Sequence, residues 1–342
     1  MKDIVTFGEL MLRLSPPANQ RFAQSISFDV TFGGSEANVA VSIAGFGKQV
    51  EFVSRMPEND ISQAALMSLR KSGVGTKHIL SGGKRLGIYF LENGASLRGS
   101  KVIYDREDSG LATIQPGMID WSQVFENCEW FHWSGITPAV SEGAAQTCAE
   151  AIKVARSKNI IVSTDLNYRN KLWNYGKKAE EVMPDLVAQS DIILGDVDTC
   201  YKLFRIKVPG IDTSRPLEPH ELEPWCKEVQ LFFPHAKKII STLRHVKSAS
   251  ENKWAGVLYE KDRFYKTGWF EISNIVDRVG AGDSFMGALI YKLSQQPDNN
   301  QSALEFAIAA SALKHTISGD FNYVTEKEVN ELMKGASGKI SR

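Results

Sequence analysis

Val276-Asp277-Arg278-Val279-Gly280-Ala281-Gly282-Asp283-Ser284-Phe285 is the stretch that decides how the rest of this chain is read. Two glycines and an alanine form a turn whose backbone N–H groups are uncovered, and a helical run begins beneath them. Free N–H groups at a helix start, with the positive end of the helix dipole, make a site for an anion. Asp283 would repel that anion unless its carboxylate serves as a base. A base touching a hydroxyl beside an anion hole is the layout that phosphoryl transfer requires. Gly280, Ala281, Gly282 and Asp283 are therefore the first candidates for the chemistry.

Outward from this turn, short apolar runs alternate with amphipathic helical stretches. Strand-like runs are Ile4–Phe7, Glu51–Val53, Trp130–Trp133, Ile160–Thr164, Ile192–Leu194, Lys238–Thr242 and Gly256–Tyr259. Helix-like stretches include Glu36–Ala44, Ile61–Lys71, Glu142–Ser157 and Lys177–Gln189, with Asn59-Asp60 as an N-cap and Gly73 as a stop. Three more helical runs, Gly282–Gln295, Ser302–Thr316 and Thr325–Lys334, close the chain. This alternation predicts a mostly parallel sheet with helices on both faces, joined by right-handed crossovers. Leu10–Phe32 and Lys84–Leu111 break the rhythm: they are strand-rich and carry turn residues but no helix signal. They fit a small β-sheet that acts as a lid, leaving from near one edge of the main sheet; the plainer reading is a pair of surface hairpins.

Composition narrows the field. The 342 residues are 43% hydrophobic and 23% charged, and 40 basic residues balance 40 acidic ones. A chain with no net charge has no electrostatic case for binding nucleic acid or a membrane surface. The four cysteines, Cys128, Cys148, Cys200 and Cys226, are widely spaced, without a C-x-x-C pair. That argues against a disulfide framework or a zinc site and for a reducing cytoplasm. Met1–Gly8 reads as a first strand and not a signal peptide, and no apolar run approaches the roughly 18 residues of a membrane span.

No P-loop and no early G-x-G-x-x-G are present; Gly94–Lys101 only mimics the P-loop glycine spacing. A second glycine motif is Gly33-Gly34-Ser35-Glu36-Ala37-Asn38-Val39-Ala40, where a helix follows a pair that lets a ligand or another backbone approach closely. Asn38 falls on the first turn of that helix, where its amide can meet a sugar hydroxyl. Alone, this stretch is equally an ordinary Gly-rich turn with Asn38 as a local cap.

Taken together, G-G-x-x-x-N-x-A early and D-x-x-G-A-G-D-x-F late closely resemble the two signatures of the ribokinase-like pfkB family of carbohydrate kinases, and the resemblance covers essentially the whole chain. It implies a ribokinase-like, Rossmann-like central sheet with helices on both faces and a small β-lid. The chain is then one α/β domain over residues 1–342, with the lid at about 10–32 and 84–111. It also implies phosphorylation of a sugar hydroxyl by ATP with Mg2+, Asp283 acting as base. Gly33, Gly34 and Asn38 then belong to the sugar site.

The sugar is read from two further segments. Asp165-Leu166-Asn167-Tyr168-Arg169-Asn170-Lys171-Leu172-Trp173 follows a strand, where open α/β sheets place their sites. It is similar to a segment of 2-keto-3-deoxygluconate kinases and some fructokinases; in the former group the arginine reaches the substrate carboxylate. A guanidinium fork suits a carboxylate, yet Arg169 would equally suit a phosphate. In the lid, Lys101-Val102-Ile103-Tyr104-Asp105-Arg106 puts Tyr104 and Arg106 on one face by the period-2 rule, with Tyr89 on the preceding strand. The ketodeoxygluconate kinases carry a comparable Tyr and Tyr-x-Arg pair. Two arginines on a neutral sugar would leave charge without a partner; the alternative puts Arg106 at the lid rim, paired with Asp105 or Glu107.

The chain departs from the family pattern in three places. The N-x-x-E motif that organises magnesium through water reads Asp196-Val197-Asp198-Thr199, so Asp196 or Asp198 would have to supply the charge. The D-T-T before the anion hole reads Asp277-Arg278-Val279, and loss of the second Thr hydroxyl weakens the case for a monovalent-cation site. Ser241-Thr242-Leu243-Arg244 stands where relatives have a Gly-containing turn near the nucleotide; Arg244 is a phosphate clamp or a surface charge. The leading expectation is an ATP-dependent 2-keto-3-deoxygluconate kinase acting on the terminal hydroxyl. The alternatives are a fructokinase or other neutral-sugar kinase and, from a different class, a non-catalytic sugar or nucleotide sensor. Lids of this family often join dimers, so a homodimer or higher homo-oligomer is expected.

Overall fold

The computed structural model describes residues 3–335. The chain begins with β1 (Asp3–Phe7), β2 (Met11–Ser15), β3 (Asp29–Gly33), α1 (Ser35–Gly45), β4 (Val50–Met56), α2 (Asp60–Lys71) and β5 (Ile79–Ser81). Next come β6 (Ile88–Glu92), β7 (Lys101–Asp105), α3 (Trp121–Val124), β8 (Cys128–Ser134), α4 (Thr137–Val140), α5 (Glu142–Ser157) and β9 (Ile161–Asp165). The next elements are α6 (Ala179–Val187), β10 (Ile192–Leu194), α7 (Val197–Phe204), α8 (Glu223–Phe232), β11 (Lys238–Ser248) and β12 (Glu251–Glu260). The last are β13 (Arg263–Lys266), β14 (Phe270–Ile272), α9 (Ala281–Gln295), α10 (Asn300–Lys314) and α11 (Glu326–Met333).

The large sheet runs β13-β12-β11-β10-β9-β8-β1-β4-β5, with β14 also on β12. From β11 to β5 every pairing is parallel; β12 is antiparallel to its three neighbours. The parallel strands are buried on both sides, so successive residues feed two cores. Ile4, Phe52, Trp130 and Ile240 pack with α1, α9 and α10, whereas Val5, Val53, Phe131 and Ile239 pack with α5, α6 and α8. This is why those strands read as continuous apolar runs. The short strands β5, β13 and β14 have too little apolar pattern to stand out in the sequence. Asn59 caps α2 through Ser62 N, as expected, and Gly73 follows it at φ +82°.

The lid is a separate four-stranded sheet, β3-β2-β6-β7. Its outer strands pair antiparallel to their neighbours, and its two halves meet where β2 runs parallel to β6. The two excursions do not share one edge of the large sheet. The first leaves from β1, an interior strand, and only the second leaves from the edge strand β5. Ile26, Phe28, Val30, Leu97 and Ile103 are exposed apolar residues on these lid segments.

Order along the sheet reverses between β1 and β8, and there Glu36 fastens α1 to the sheet. Its Oε1 accepts from Ser134 N (3.0 Å), Ser134 Oγ (2.8 Å) and Thr137 Oγ1 (2.7 Å). Gly8 leaves room for it: a Cβ there would lie 2.1 Å from Glu36 Oε2. Burial raises the Glu36 pKa to about 7, although these hydrogen bonds favour the charged form. The folded protein therefore holds a proton that the unfolded chain releases near pH 4.5, and stability falls as pH rises from there to about 7. Glu36→Gln keeps an acceptor and removes the proton. Urea unfolding between pH 5 and 8 should show a shallower loss of stability in the variant, by up to about 3 kcal/mol.

Candidate active site

A cavity of about 970 Å³ opens at the carboxyl ends of β9, β10 and β11, beneath the lid and beside the start of α9. This is where a doubly wound sheet leaves room for ligands, because its loops diverge there. Gly280 caps α9 in the left-handed conformation at φ +80°, and the first helical bond runs from Ser284 N to Gly280 O (2.8 Å). The amides of Ala281, Gly282 and Asp283 precede that bond and have no partner within the helix. Gly280, Ala281, Gly282 and Asp283 all line the cavity, and a Cβ on Gly282 would meet only open space.

The Asp283 carboxylate is held from α1. Oδ1 accepts from Ser35 Oγ (3.0 Å) and Oδ2 from Asn38 Nδ2 (2.7 Å), while Asn167 Nδ2 donates to Ser35 Oγ (3.1 Å). Asn38 also accepts from Gly34 N (3.2 Å) through its own oxygen, which fixes the amide's orientation. The two glycine motifs, far apart in sequence, thus meet at one carboxylate. Desolvation raises the pKa of Asp283, opposed by those two hydrogen bonds. Asp165, on the facing wall, is raised to about 7 by burial and then by the Asp283 charge.

Beneath the turn lies an ionic cluster that spans three parts of the fold. Arg13 of the lid strand β2 donates to Asp277 Oδ2 (2.6 Å) and to Asp320 Oδ1 (2.8 Å), and Tyr89 donates to Asp320. Asp277 also accepts from Val279 N (3.0 Å) and Gly319 N (3.1 Å), so it shapes the turn directly. Burial works against the charge on Arg13, but the two aspartates hold its pKa above the ordinary value. Burial and the Asp320 charge raise Tyr89 well above a normal phenol.

Most of the residues expected at the site are on its walls. Gly34, Asn38, Tyr89, Tyr104, Arg169, Asp196, Asp198 and Arg244 all line the cavity. Tyr89 and Tyr104 are direct cross-strand partners with ring centroids 6.3 Å apart. Arg244 is pushed down by desolvation first and by the charge of Arg169 next. Arg278 adds a third cation, anchored to the carbonyls of Ser248 and Ala249.

Three residues lie elsewhere. Arg106 is buried at 6% exposure and pairs with Glu9 (Nε to Oε2, 2.8 Å), away from the cavity wall. Neither Asp105 nor Glu107 is its partner: Asp105 accepts from Arg85 (2.7 Å), and β7 ends at Asp105, so the period-2 alternation stops before Arg106. Gly33 is not on the cavity wall, and it is closely packed: its Cβ would lie 2.1 Å from Asp320 Oδ2. At Gly34 the intruding atom is also protein, since a Cβ would lie 1.8 Å from Glu9 O. Ser241 points into a second, smaller cavity of about 220 Å³ and not into the large one, while Thr242 and Arg244 border both.

Sequence reading passed over Ser35, Asn167 and the Arg13–Asp277–Asp320 cluster. Arg13 left one clue, a charge inside the apolar strand Met11-Leu12-Arg13-Leu14. Asp320 left none.

As to metal, the described residues contain no group of three or more His, Cys, Asp or Glu placed to hold an ion. Asp196 is committed as the N-cap of α7, accepting from Thr199 N (2.8 Å) and Thr199 Oγ1 (2.7 Å). Asp165 and Asp198 remain on the same wall. Such a set suits Mg2+ that arrives with phosphates and keeps its waters, since that ion needs only one or two carboxylates.

A ribokinase-like α/β sheet with a lid, a cavity at the strand ends and a helix-start turn beside a held carboxylate define a phosphotransferase acting on a sugar hydroxyl. The chain belongs to the pfkB family carbohydrate kinases, whose model matches residues 1–215 and 254–325. Residues 216–253, which carry Ser241 and Arg244, lie outside that match. The chain is 42% identical to a 2-dehydro-3-deoxygluconokinase of Thermotoga maritima of known structure, with TM-score 0.92 over 98% of this chain and 100% of that one. It is 29% identical to a 2-dehydro-3-deoxygalactonokinase of Haloferax volcanii, over 99% of both chains. A fructokinase of Xylella fastidiosa with bound ATP shares the fold at 21% identity and TM-score 0.75, over 98% of this chain and 99% of that one.

Gly280 tests the turn. With φ at +80° and a Cβ position 2.0 Å from Asp320 O, Gly280→Ala strains the backbone and forces the C-terminal loop away. We expect a stability loss of roughly 1–3 kcal/mol or more by chemical denaturation, with activity reduced in the fraction that folds.

Proposed function

We propose that this kinase transfers the γ-phosphoryl group of ATP to the terminal hydroxyl of 2-keto-3-deoxygluconate or a closely related keto-deoxy sugar acid. The observation that carries the reaction is the Asp283 carboxylate, held by Ser35 and Asn38 beside the free amides that open α9. In this reading Asp283 orients the attacking hydroxyl and takes its proton late, as a loose transition state permits. The amides of the Gly280–Asp283 turn hold the oxygens of the passing phosphoryl group. Arg244 and Arg278 offset the charge of the phosphates, and Asp165, Asp196 and Asp198 meet Mg2+ through water. Bound Mg2+ would neutralise charge on the phosphate oxygens.

The acid-sugar part rests on Arg169 and the two lid tyrosines. Arg169 is exposed to the cavity and bonded only to the Tyr168 carbonyl (3.3 Å) among the described residues, so its fork is available to a carboxylate. Arg106 no longer contributes to that argument. The similarity to named keto-deoxy sugar-acid kinases of two organisms supports the same substrate class. A fructokinase activity is the second reading, favoured by whatever part of the Arg169 charge serves phosphate. The exposed apolar residues of the lid segments suit a homodimer.

Two measurements decide between these. Asp283→Asn should lower kcat by about 10²–10⁴-fold with ATP binding retained. Wild-type kcat should fall on the acid side, below the raised pKa of Asp283, because the protonated carboxyl cannot accept the proton. Arg169→Ala should cost about tenfold or more in kcat/KM on ketodeoxygluconate and little on fructose. Equal losses on both sugars would assign Arg169 to phosphate, and turnover of neutral sugars alone would remove the acid-sugar reading.

A further inference from the structure

Lys314, the last residue of α10, is fully buried at 0% exposure, and no step above uses it. It lies where α10 and the loop after it are fastened to the Val276–Asp283 turn. Val276 N and Asp277 N donate to His315 O (2.8 and 3.3 Å), and Ser311 Oγ donates to Ala281 O (2.7 Å). Lys314 Nζ donates to Ile317 O (3.1 Å), in the loop whose Gly319 N reaches Asp277. Its ammonium thus binds a loop carbonyl and is in no direct ion pair among the described residues. Burial lowers its pKa; the charges of Asp277, Asp320 and Asp283 work to keep it protonated, and Arg13 opposes. Three carboxylates against one arginine would leave net negative charge under the very turn that must attract a phosphoryl group. A second buried cation cuts that excess from two charges to one.

The family pattern allows a monovalent cation next to this turn, and the residues here do not fit one. Val279 lacks the hydroxyl of the usual threonine, and the ammonium already occupies one of the loop carbonyls. An alkylammonium group and a potassium ion carry the same charge and are both bound by carbonyl oxygens. We propose that Lys314 is a positioning residue whose ammonium supplies the monovalent charge beneath the Gly280–Asp283 turn, so that phosphoryl transfer by this chain needs no free potassium. The proposal rests on reading that turn as the holder of the transferred phosphoryl group.

The test compares rates in potassium, sodium and choline chloride at one ionic strength. Wild type should agree within about twofold in all three salts, because its cation is covalently attached. Lys314→Met keeps the length of the side chain and should lose roughly tenfold or more in kcat, with sugar KM changed less than about twofold. Lys314→Ala should regain several-fold activity with potassium or methylammonium but not choline, and its thermal midpoint should rise in potassium relative to choline. A wild-type rate that falls about tenfold or more in choline overturns the proposal, whether or not either variant folds. Unchanged kcat in folded Lys314→Met overturns it too. Full activity in Asp283→Asn would instead sink the reading of the turn, whatever the salts do.

Discussion

The cluster of Arg13, Asp277, Asp320 and Tyr89 is the constraint on which the rest of the site depends. Its members come from the lid, the turn before α9 and the loop after α10, and Val279 of that turn also packs against Met11, Tyr89 and Leu91 of the lid. A buried guanidinium is tolerable only when its charge and donors are met, and here two carboxylates and Ser15 meet them. Losing Arg13 would leave two buried carboxylates without their cation. The cluster therefore ties the lid's inner strand to the position of the turn.

From that cluster the chemistry follows by contact. Asp277 bonds Val279 N and Gly319 N, which sets where the turn rises and where α9 begins. With α9 placed, Asp283 reaches Ser35 and Asn38, and α1 is itself locked to the strand reversal by Glu36. Gly34 and Gly280 are glycines for the same reason: protein atoms approach to within 2.0 Å of where a Cβ would stand. Gly282 differs, since open space faces it on the cavity side. Close packing on one side and clearance on the other let a rigid turn present bare amides to the cavity.

The cavity is also arranged by charge. Its wall carries carboxylates, among them Asp165, Asp196, Asp198 and Asp283, and the arginines Arg169, Arg244 and Arg278. Desolvation raises Asp165 and Asp283, while Arg244 and Arg278 are lowered by burial and by neighbouring arginines. Each set is under-neutralised in isolation, and a polyanion with its metal relieves both.

Much of this was legible in the order of residues alone. The alternation of runs determined a parallel sheet with two buried faces, because burial on both sides leaves continuous apolar strands. The two glycine motifs marked the turn and the helix it opens, because free amides and φ above zero are local properties of the backbone. Arg106 went astray because the period-2 rule holds only inside a strand, and β7 ends one residue earlier. What only the tertiary structure decided is which charges meet. Glu9 takes Arg106, and Asp320 and Asp277 take Arg13, pairings that join residues up to 307 positions apart. Partners at such distances leave no periodicity to read; they are selected by the cost of burying a charge alone, which arises only once the chain has folded.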